Sequence, residues 1–362
     1  MWAVSTGLAR TPLVILWSPD CAVSVFFVLS GFVLSASAMQ MAGDRNPLRL
    51  AAQILRRWVR LAGPILGSSL LIWAVVEAGW VFNTPASGLN GSSWLAMHFG
   101  WRAWQANSLP ILIRQSLFDV FTTGEQWWNA ALWTMKIEFW GSLGVFVFQA
   151  AMPRASRPAR TAVLLTLVAL LGAILPQGYA EFVAGALIWD WRQGGTWSRP
   201  VTIFLGAIVF LAAIVLGGMP YNLLGTLYWG PFVYASGYFS APVLDAHRVG
   251  AALMVVAALS LPPLAWLLSR RPVLALGRWS FMVYLCHIVV LVSLGSWIVL
   301  HLTPRLGYDA ASAVAFALSI ATVLALACVL TRLVDGPAIR LSRRAERAVL
   351  TRFVPVPVSA PV

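Results

Sequence analysis

Long apolar runs separated by short polar segments set the pattern of this chain. Nine stretches stand out: Ala22–Met39, Leu61–Phe82, Ala130–Met152, Thr161–Leu175, Tyr179–Trp191, Val201–Gly217, Val249–Leu268, Phe281–Leu302 and Ala310–Val334. A hydrocarbon core of ~30 Å needs roughly 20 apolar residues to cross as a helix, so each stretch is predicted to be a transmembrane helix. The fourth and fifth are short for a straight span, and a re-entrant pair is the alternative there. The expected fold is all-α, a polytopic helix bundle of about nine spans. Composition agrees: of 362 residues, 60% are hydrophobic and 10% charged, against about 25% charged in soluble domains. Mean hydropathy is +0.80. Separate soluble domains, disorder, collagen and secreted disulfide scaffolds are excluded. Cys21, Cys286 and Cys328 lie in or beside apolar segments without paired spacing, so neither a disulfide framework nor a Cys-based metal site is expected.

The net charge of +13 changes the picture through its distribution. Nineteen arginines fall in alternate loops: Arg45, Arg49, Arg56, Arg57 and Arg60; Arg154, Arg157 and Arg160; Arg192 and Arg199; Arg270, Arg271 and Arg278; and Arg332 to Arg352. Only Arg10, Arg102, Arg114, Arg248 and Arg305 fall on the other side. The positive-inside rule therefore predicts a cytoplasmic C-terminus and, with nine spans, an external N-terminus. No basic start with a short apolar run and cleavage site opens the chain, so no signal peptide is expected. Residues 83–128 form the longest external segment, rich in Trp94, Trp101, Trp104, Trp127 and Trp128. Its amphipathic part around Leu109–Phe121 reads as a surface-lying helix or as a lid over the outer mouth. Short arginine clusters between apolar runs give no support for nucleic acid as a partner.

Ionisable groups inside spans are expensive and mark function by default. Lys136 and Glu138 lie in the third stretch, two residues apart and so on different faces. Glu138 shares a face with Thr134 and Ser142; Lys136 lies near Trp133 and Trp140, where a cation–π contact or an ion pair would hold it. In the eighth stretch Ser280, Tyr284 and His287 recur at helical spacing and form a second polar stripe. Counting nine residues from Asn129 at the outer edge and nine from Arg278 at the inner edge puts Glu138 and His287 each about 13 Å deep. The two would then line one mid-membrane cavity. His98 and His247 fall in outer loops and His301 at an outer helix end, leaving His287 as the histidine inside a span. Arg56, Arg57 and Arg60 open the second span; their guanidinium forks suit anionic lipid headgroups or a phosphate-rich cytoplasmic donor. No Walker loop, dinucleotide-binding glycine pattern or zinc-type histidine pair occurs.

Four stretches, in order, resemble the acyltransferase-3 family of bacterial integral-membrane O-acyltransferases that modify glycans. They are Val25-Phe26-Phe27-Val28-Leu29-Ser30-Gly31-Phe32; Arg56-Arg57-Trp58-Val59-Arg60-Leu61-Ala62-Gly63-Pro64; Leu132-Trp133-Thr134-Met135-Lys136-Ile137-Glu138; and Leu276-Gly277-Arg278-Trp279-Ser280 running into Tyr284-Leu285-Cys286-His287. Asp335-Gly336-Pro337 resembles the family's closing acidic-x-Pro. The resemblance implies a bacterial inner-membrane, multi-pass enzyme that moves a short acyl group, commonly acetyl, from cytoplasmic acyl-CoA to a hydroxyl of a glycan or glycolipid. Acyl-CoA is then a co-substrate, no further cofactor or metal is implied, and membrane lipids complete the partners. On this reading residues 1–345 are one integral-membrane acyltransferase-like domain and 346–362 a cytoplasmic tail. Glu138 and His287 are the catalytic candidates, and Arg56, Arg57, Arg60, Lys136, Ser280 and Tyr284 the substrate-binding ones.

The chain departs from the family at its start. Members begin with an additional helix that bears an essential histidine, whereas no histidine here precedes His98. The expectation is a ten-helix family bundle minus its first helix, from a late-assigned start or a truncated, inactive copy. A transporter or flippase of a lipid-linked glycan is the rival class, since intramembrane charges suit it equally. No internal repeat or matching pair of broken helices supports it.

Overall fold

The computed structural model describes residues 15–16, 18–39, 47–89, 91–92, 95–96, 109–175, 178–193, 199–219 and 241–353, the side chains of 39, 199–202 and 241–242 aside. Trp94, Trp101, Trp104, His98 and the tail beyond 353 lie outside the described residues, which contain helices and no strand. The helices are α1 (Pro19–Met39), α2 (Pro47–Glu77), α3 (Asn83–Ser87) and α4 (Leu109–Arg114), the last continued by a π turn at Gln115–Asp119 and by Val120–Thr122. Then come α5 (Met135–Ala151, entered through a 3-10 turn at Ala130–Thr134), α6 (Arg157–Ile174), α7 (Tyr179–Arg192), α8 (Arg199–Gly217), α9 (Ala241–Ser260) and α10 (Pro262–Leu268). The last four are α11 (Arg271–Val290), α12 (Ser296–Leu306), α13 (Tyr308–Leu330) and α14 (Gly336–Phe353), with π turns at Leu291–Gly295 and Thr331–Asp335.

Helix occupies all nine predicted stretches, but among the described residues six helical segments are long and apolar enough to cross a membrane. They are Pro19–Ala38, Pro47–Glu77, Arg157–Ile174, Val243–Ser260, Arg271–Leu306 and Tyr308–Phe353. The shortfall lies in α5, α7 and the apolar part of α8, which have 17 residues, 14 residues and the run Ile203–Gly217. Pro262 and Pro263 stop α9 at Ser260, because proline lacks the amide and crowds the preceding turn. The chain forms two compact units, Met1–Arg45 with Gly141–Arg270 and Asn46–Trp140 with Arg271–Val362.

In the first unit α1 crosses α7 at two glycines. A Cβ on Gly31 would run into the backbone carbonyl of Phe182, and one on Gly185 would run into the Val28 carbonyl and lie 2.7 Å from the Phe32 nitrogen. Missing side chains let the two backbones touch, the usual device of helix pairs in lipid, where no hydrophobic drive holds helices together. Phe27 packs on the Phe182 ring at 5.5 Å beside the crossing. In the first turn of α6, buried Arg160 uses its whole guanidinium fork. Its partners are Asp190 (2.6 and 2.7 Å), Gln149 (2.6 Å) and the Met152 carbonyl (2.5 Å).

In the second unit α2 and α14 run antiparallel. Gly63 faces Ala338, Gly67 faces Val334, and Arg60 and Arg56 reach Asp335 and Glu346. Both helices outrun the predicted spans for this reason: α2 starts at Pro47 rather than Leu61, and the last helix continues past Val334 to Phe353. Their polar turns are held by each other and need no apolar run. The segment predicted to lie on the outer surface instead packs along α2. Leu112 joins Ile72 and Trp128 in one apolar cluster, and Trp58 Nε1 donates to the Leu117 carbonyl at 2.9 Å. Leu112 and Leu117 are five residues apart, about 7 Å of helix. α4 with its following turns therefore lies against α2, with Gln115 and Ser116 buried.

Candidate functional site

The site grows from the start of α5. Asn129, fully buried, caps the 3-10 turn by accepting from Ala131 N at 3.0 Å, while its amide donates to the Leu285 carbonyl of α11 at 2.8 Å and to Ser68 Oγ of α2 at 3.4 Å. One side chain thus ties three elements together, satisfying groups that would be costly to leave bare at this depth. It also corrects the depth reckoning. Asn129 is level with Leu285, two residues from His287, whereas Glu138 is nine residues further along, in α5, so Glu138 and His287 do not share one level of the bundle.

The start of α5 and helix α11 then meet each other and α2. Thr134 and Tyr284 share a hydrogen bond of 3.0 Å, which brings the two polar stripes together. Glu138, buried, forms an ion pair with Arg57 Nη2, whose side chain is 16% exposed. One turn further along α2, Arg60 pairs with Asp335 at 2.5 Å and lies over the Phe281 ring at 5.3 Å. Arg56 pairs with Glu346 at 3.0 Å. Each arginine of the sequence-predicted cluster therefore faces a carboxylate. For Arg57, opposite a carboxylate that is 2% exposed, the pairing matters most, since an uncompensated buried charge costs several kcal/mol. Four arginines of α14 are exposed instead: Arg340, Arg343, Arg344 and Arg347. Their spacing puts them on one face, opposite buried Ala338, Ser342 and Glu346.

His287 is half-buried, and its ring lies 5.7 Å from that of Tyr284, tilted by 41°. Its Nδ1 lies 2.6 Å from the Tyr284 carbonyl. A carbonyl accepts only, so Nδ1 carries a proton, and whenever the ring is neutral its lone pair is at Nε2. That is the tautomer a general base needs. No hydrogen bond joins His287 to Glu138, and the Thr134–Tyr284 pair lies between the two stripes. Ser280 is exposed and bonds only its own helix, donating to the Gly277 carbonyl at 2.8 Å. Lys136 faces away from Glu138, its stem 3.3 Å from where a Gly124 Cβ would stand, and no carboxylate among the described residues pairs with it. Ser142 is buried in the first unit.

One turn further along α11 from His287, its helical neighbour Val290 begins the wall of a cavity of about 570 Å³. Leu71, Val75, Leu294, Thr322 and Leu326 line it further.

A family model described as an acyltransferase domain matches residues 20–332. The chain belongs to the acyltransferase-3 family. It is a multi-pass membrane acyltransferase by that membership and by its apolar helices. Acyltransferase clz18 of Cochliobolus lunatus is 23% identical over 379 aligned positions, covering 90% of this chain and 80% of that protein. No solved structure shows a significant match. In this acyltransferase the Phe-Phe-Val-Leu-Ser-Gly-Phe run supplies the glycine of the α1–α7 crossing. The Arg-Arg-Trp-Val-Arg run supplies the ion pairs to Glu138 and Asp335.

Sequence reasoning missed a second buried polar group, in the first unit. Glu181 of α7 accepts from Ser24 Oγ (3.3 Å) and from the Gly178 amide (2.8 Å), and its carboxylate lies 3.4 Å from Arg248 Nε. Beside Arg248, His247 is fully buried in α9 and meets the Met219 carbonyl at 2.9 Å; it is not a loop residue. The apolar run from Val249 hid both, because α9 begins eight residues earlier, at Ala241.

Proposed function

We propose that this acyltransferase moves an acyl group from a cytoplasmic acyl-CoA to a hydroxyl of a glycan or glycolipid, with Nε2 of His287 as the base. The tautomer set by the Tyr284 carbonyl carries the reading. The acceptor hydroxyl gives its proton to Nε2 as its oxygen attacks the thioester carbonyl. The tetrahedral oxyanion collapses, the C–S bond breaks, and the CoA thiolate leaves with a proton. Tyr284, hydrogen-bonded to Thr134, shapes the polar side of the site. Glu138 and Arg57 act as a positioning pair for α5 and α2 rather than as the base's partner, since His287 has no bond to Glu138.

Donor phosphates belong, on this reading, on the Arg340, Arg343, Arg344 and Arg347 face, because Arg57 and Arg60 are occupied by carboxylates. Guanidinium forks on one helix face suit clustered phosphates. The α2–α14 register puts Arg344 opposite Arg57. Ser68, level with Leu285 through Asn129, lies 11 residues further along α2, about 16 Å away. An extended pantetheine arm bridges such a gap. We place the C-terminus on the cytoplasmic side of a nine-span arrangement in the bacterial inner membrane, from the arginine bias. The test is thiol release from acyl-CoA by the purified protein, wild type against His287→Ala, with and without a hydroxylated glycan. Absence of His287-dependent thiol release overturns the reading.

A further inference from the structure

We infer that the cavity beside Val290 is an acyl-chain site and that the transferred group is a medium-length chain rather than acetyl; this rests on the transferase reading above. The walls are mostly apolar. Leu71 and Val75 of α2, Val290 and Leu294 of the α11 end, and Leu326 of α13 supply aliphatic surface. Ser293 also lines the cavity, but its hydroxyl already donates to the Val289 carbonyl at 2.7 Å, so it asks nothing of an occupant.

A deliberate irregularity of the backbone shapes the space. The π turn Leu291–Gly295 inserts a residue into the helix just where the cavity begins. Two of its carbonyls accept bonds from outside the turn's own ladder: Val292 O accepts from the Phe82 amide at 2.9 Å and Leu291 O from Ser296 Oγ at 2.9 Å. Gly295 lets the widened turn sit close to α13, where an added Cβ would come within 2.9 Å of Ser319 Oγ. Such turns are rare and concentrate at functional sites.

The chain must be the acyl group because of direction. The thioester carbonyl is attacked beside His287, and the CoA portion extends inward toward the arginine face. The substituent on the other side of that carbonyl therefore has to lie outward, where Val290 starts the cavity. From Val290 to Trp297, another lining residue, is seven residues, about 10 Å. A carbon chain with bonds of about 1.5 Å at about 111° advances about 1.25 Å per atom. About eight carbons fill that length. The volume of about 570 Å³ suits such a ligand, lying within the roughly 300–1,000 Å³ of small-molecule sites. Acetyl would leave nearly all of it empty.

The test uses the full-length protein in neutral-lipid nanodiscs with acetyl-, butanoyl-, octanoyl- and hexadecanoyl-CoA. Thiol release is expected to rise about threefold to fourfold in kcat/KM per added methylene, the equivalent of ~0.8 kcal/mol each, and to level off near eight carbons. Leu294→Phe, which fills the cavity, should move the optimum to shorter chains. A turnover-independent arm introduces Thr322→Cys with Cys328→Ser. Octanoyl-CoA should slow maleimide modification of the new thiol at least fivefold, and acetyl-CoA should not. Equal use of acetyl- and octanoyl-CoA, or an unprotected thiol, overturns the chain site and leaves the transferase reading standing. Protection by octanoyl-CoA without thiol release from any donor supports the chain site and overturns the transferase reading.

Discussion

Removing Arg57 should unfold this protein more readily than removing its partner, and the reason is geometric. Glu138 is 2% exposed at the side chain, Arg57 16%. In Arg57→Gln the carboxylate stays behind with almost no water; in Glu138→Gln the guanidinium left behind still reaches some. Breaking a buried pair from one side costs about 3–5 kcal/mol. We expect Arg57→Gln in the upper half of that range and Glu138→Gln at or below about 3 kcal/mol. The double variant, carrying two amides that can bond each other, should recover at least ~2 kcal/mol of the summed loss, the scale of coupling between touching residues. Arg56→Gln is the control, because Arg56 is 39% exposed opposite Glu346; it should cost no more than about 1 kcal/mol. Reversible unfolding of the four variants in a graded mixture of mild and denaturing detergent measures all of this. Additive single losses, with coupling under ~0.5 kcal/mol, would sink the argument that Arg57 and Glu138 neutralise each other. Acyl transfer should return with stability in the double variant, as a positioning pair requires.

Other expectations follow from individual contacts. Gly31→Ala and Gly185→Ala should each destabilise by about 1–3 kcal/mol through backbone overlap at the α1–α7 crossing. Gly144→Ala, in open space on α5, should be neutral or stabilise by up to ~1 kcal/mol in the same detergent titration. Asn129→Ala, which bares the Leu285 carbonyl and uncaps the 3-10 turn, should cost about 1–3 kcal/mol. His287→Ala should lower thiol release from acyl-CoA by about 10²–10⁴-fold, while Ser280→Ala, exposed and bonded only to its own helix, should stay within about twofold. Replacing Arg340, Arg343, Arg344 and Arg347 by Gln should raise KM for acyl-CoA at least tenfold, given ~1.5–3 kcal/mol per charge-assisted contact. Unchanged KM alongside weaker binding to anionic vesicles would assign that face to lipid headgroups.

Apolar runs by themselves determined the class of the molecule and the place of the helices that cover the nine stretches, because burial in hydrocarbon demands such runs and permits few alternatives. The Phe26–Phe32 motif, the Arg56–Arg60 cluster, the Thr134–Glu138 stripe and the Tyr284–His287 stripe were legible for the same reason: polar residues amid apolar ones carry a cost that calls for an explanation. Sequence could not say what each faces. Helical spacing joined Thr134 to Glu138 and Tyr284 to His287, but only packing decided that Thr134 meets Tyr284 and that Glu138 meets Arg57 while His287 turns to a backbone carbonyl. Polar extensions were equally invisible. α2 gains 14 residues before Leu61, and the last helix continues 19 past Val334. Those turns are stabilised by each other, through Gly63 on Ala338 and Arg56 on Glu346, rather than by any local hydrophobic signal. Periodicity reports which residues share a face; tertiary contact alone supplies the partner opposite, because pairing energy depends on distance in space and not on separation along the chain.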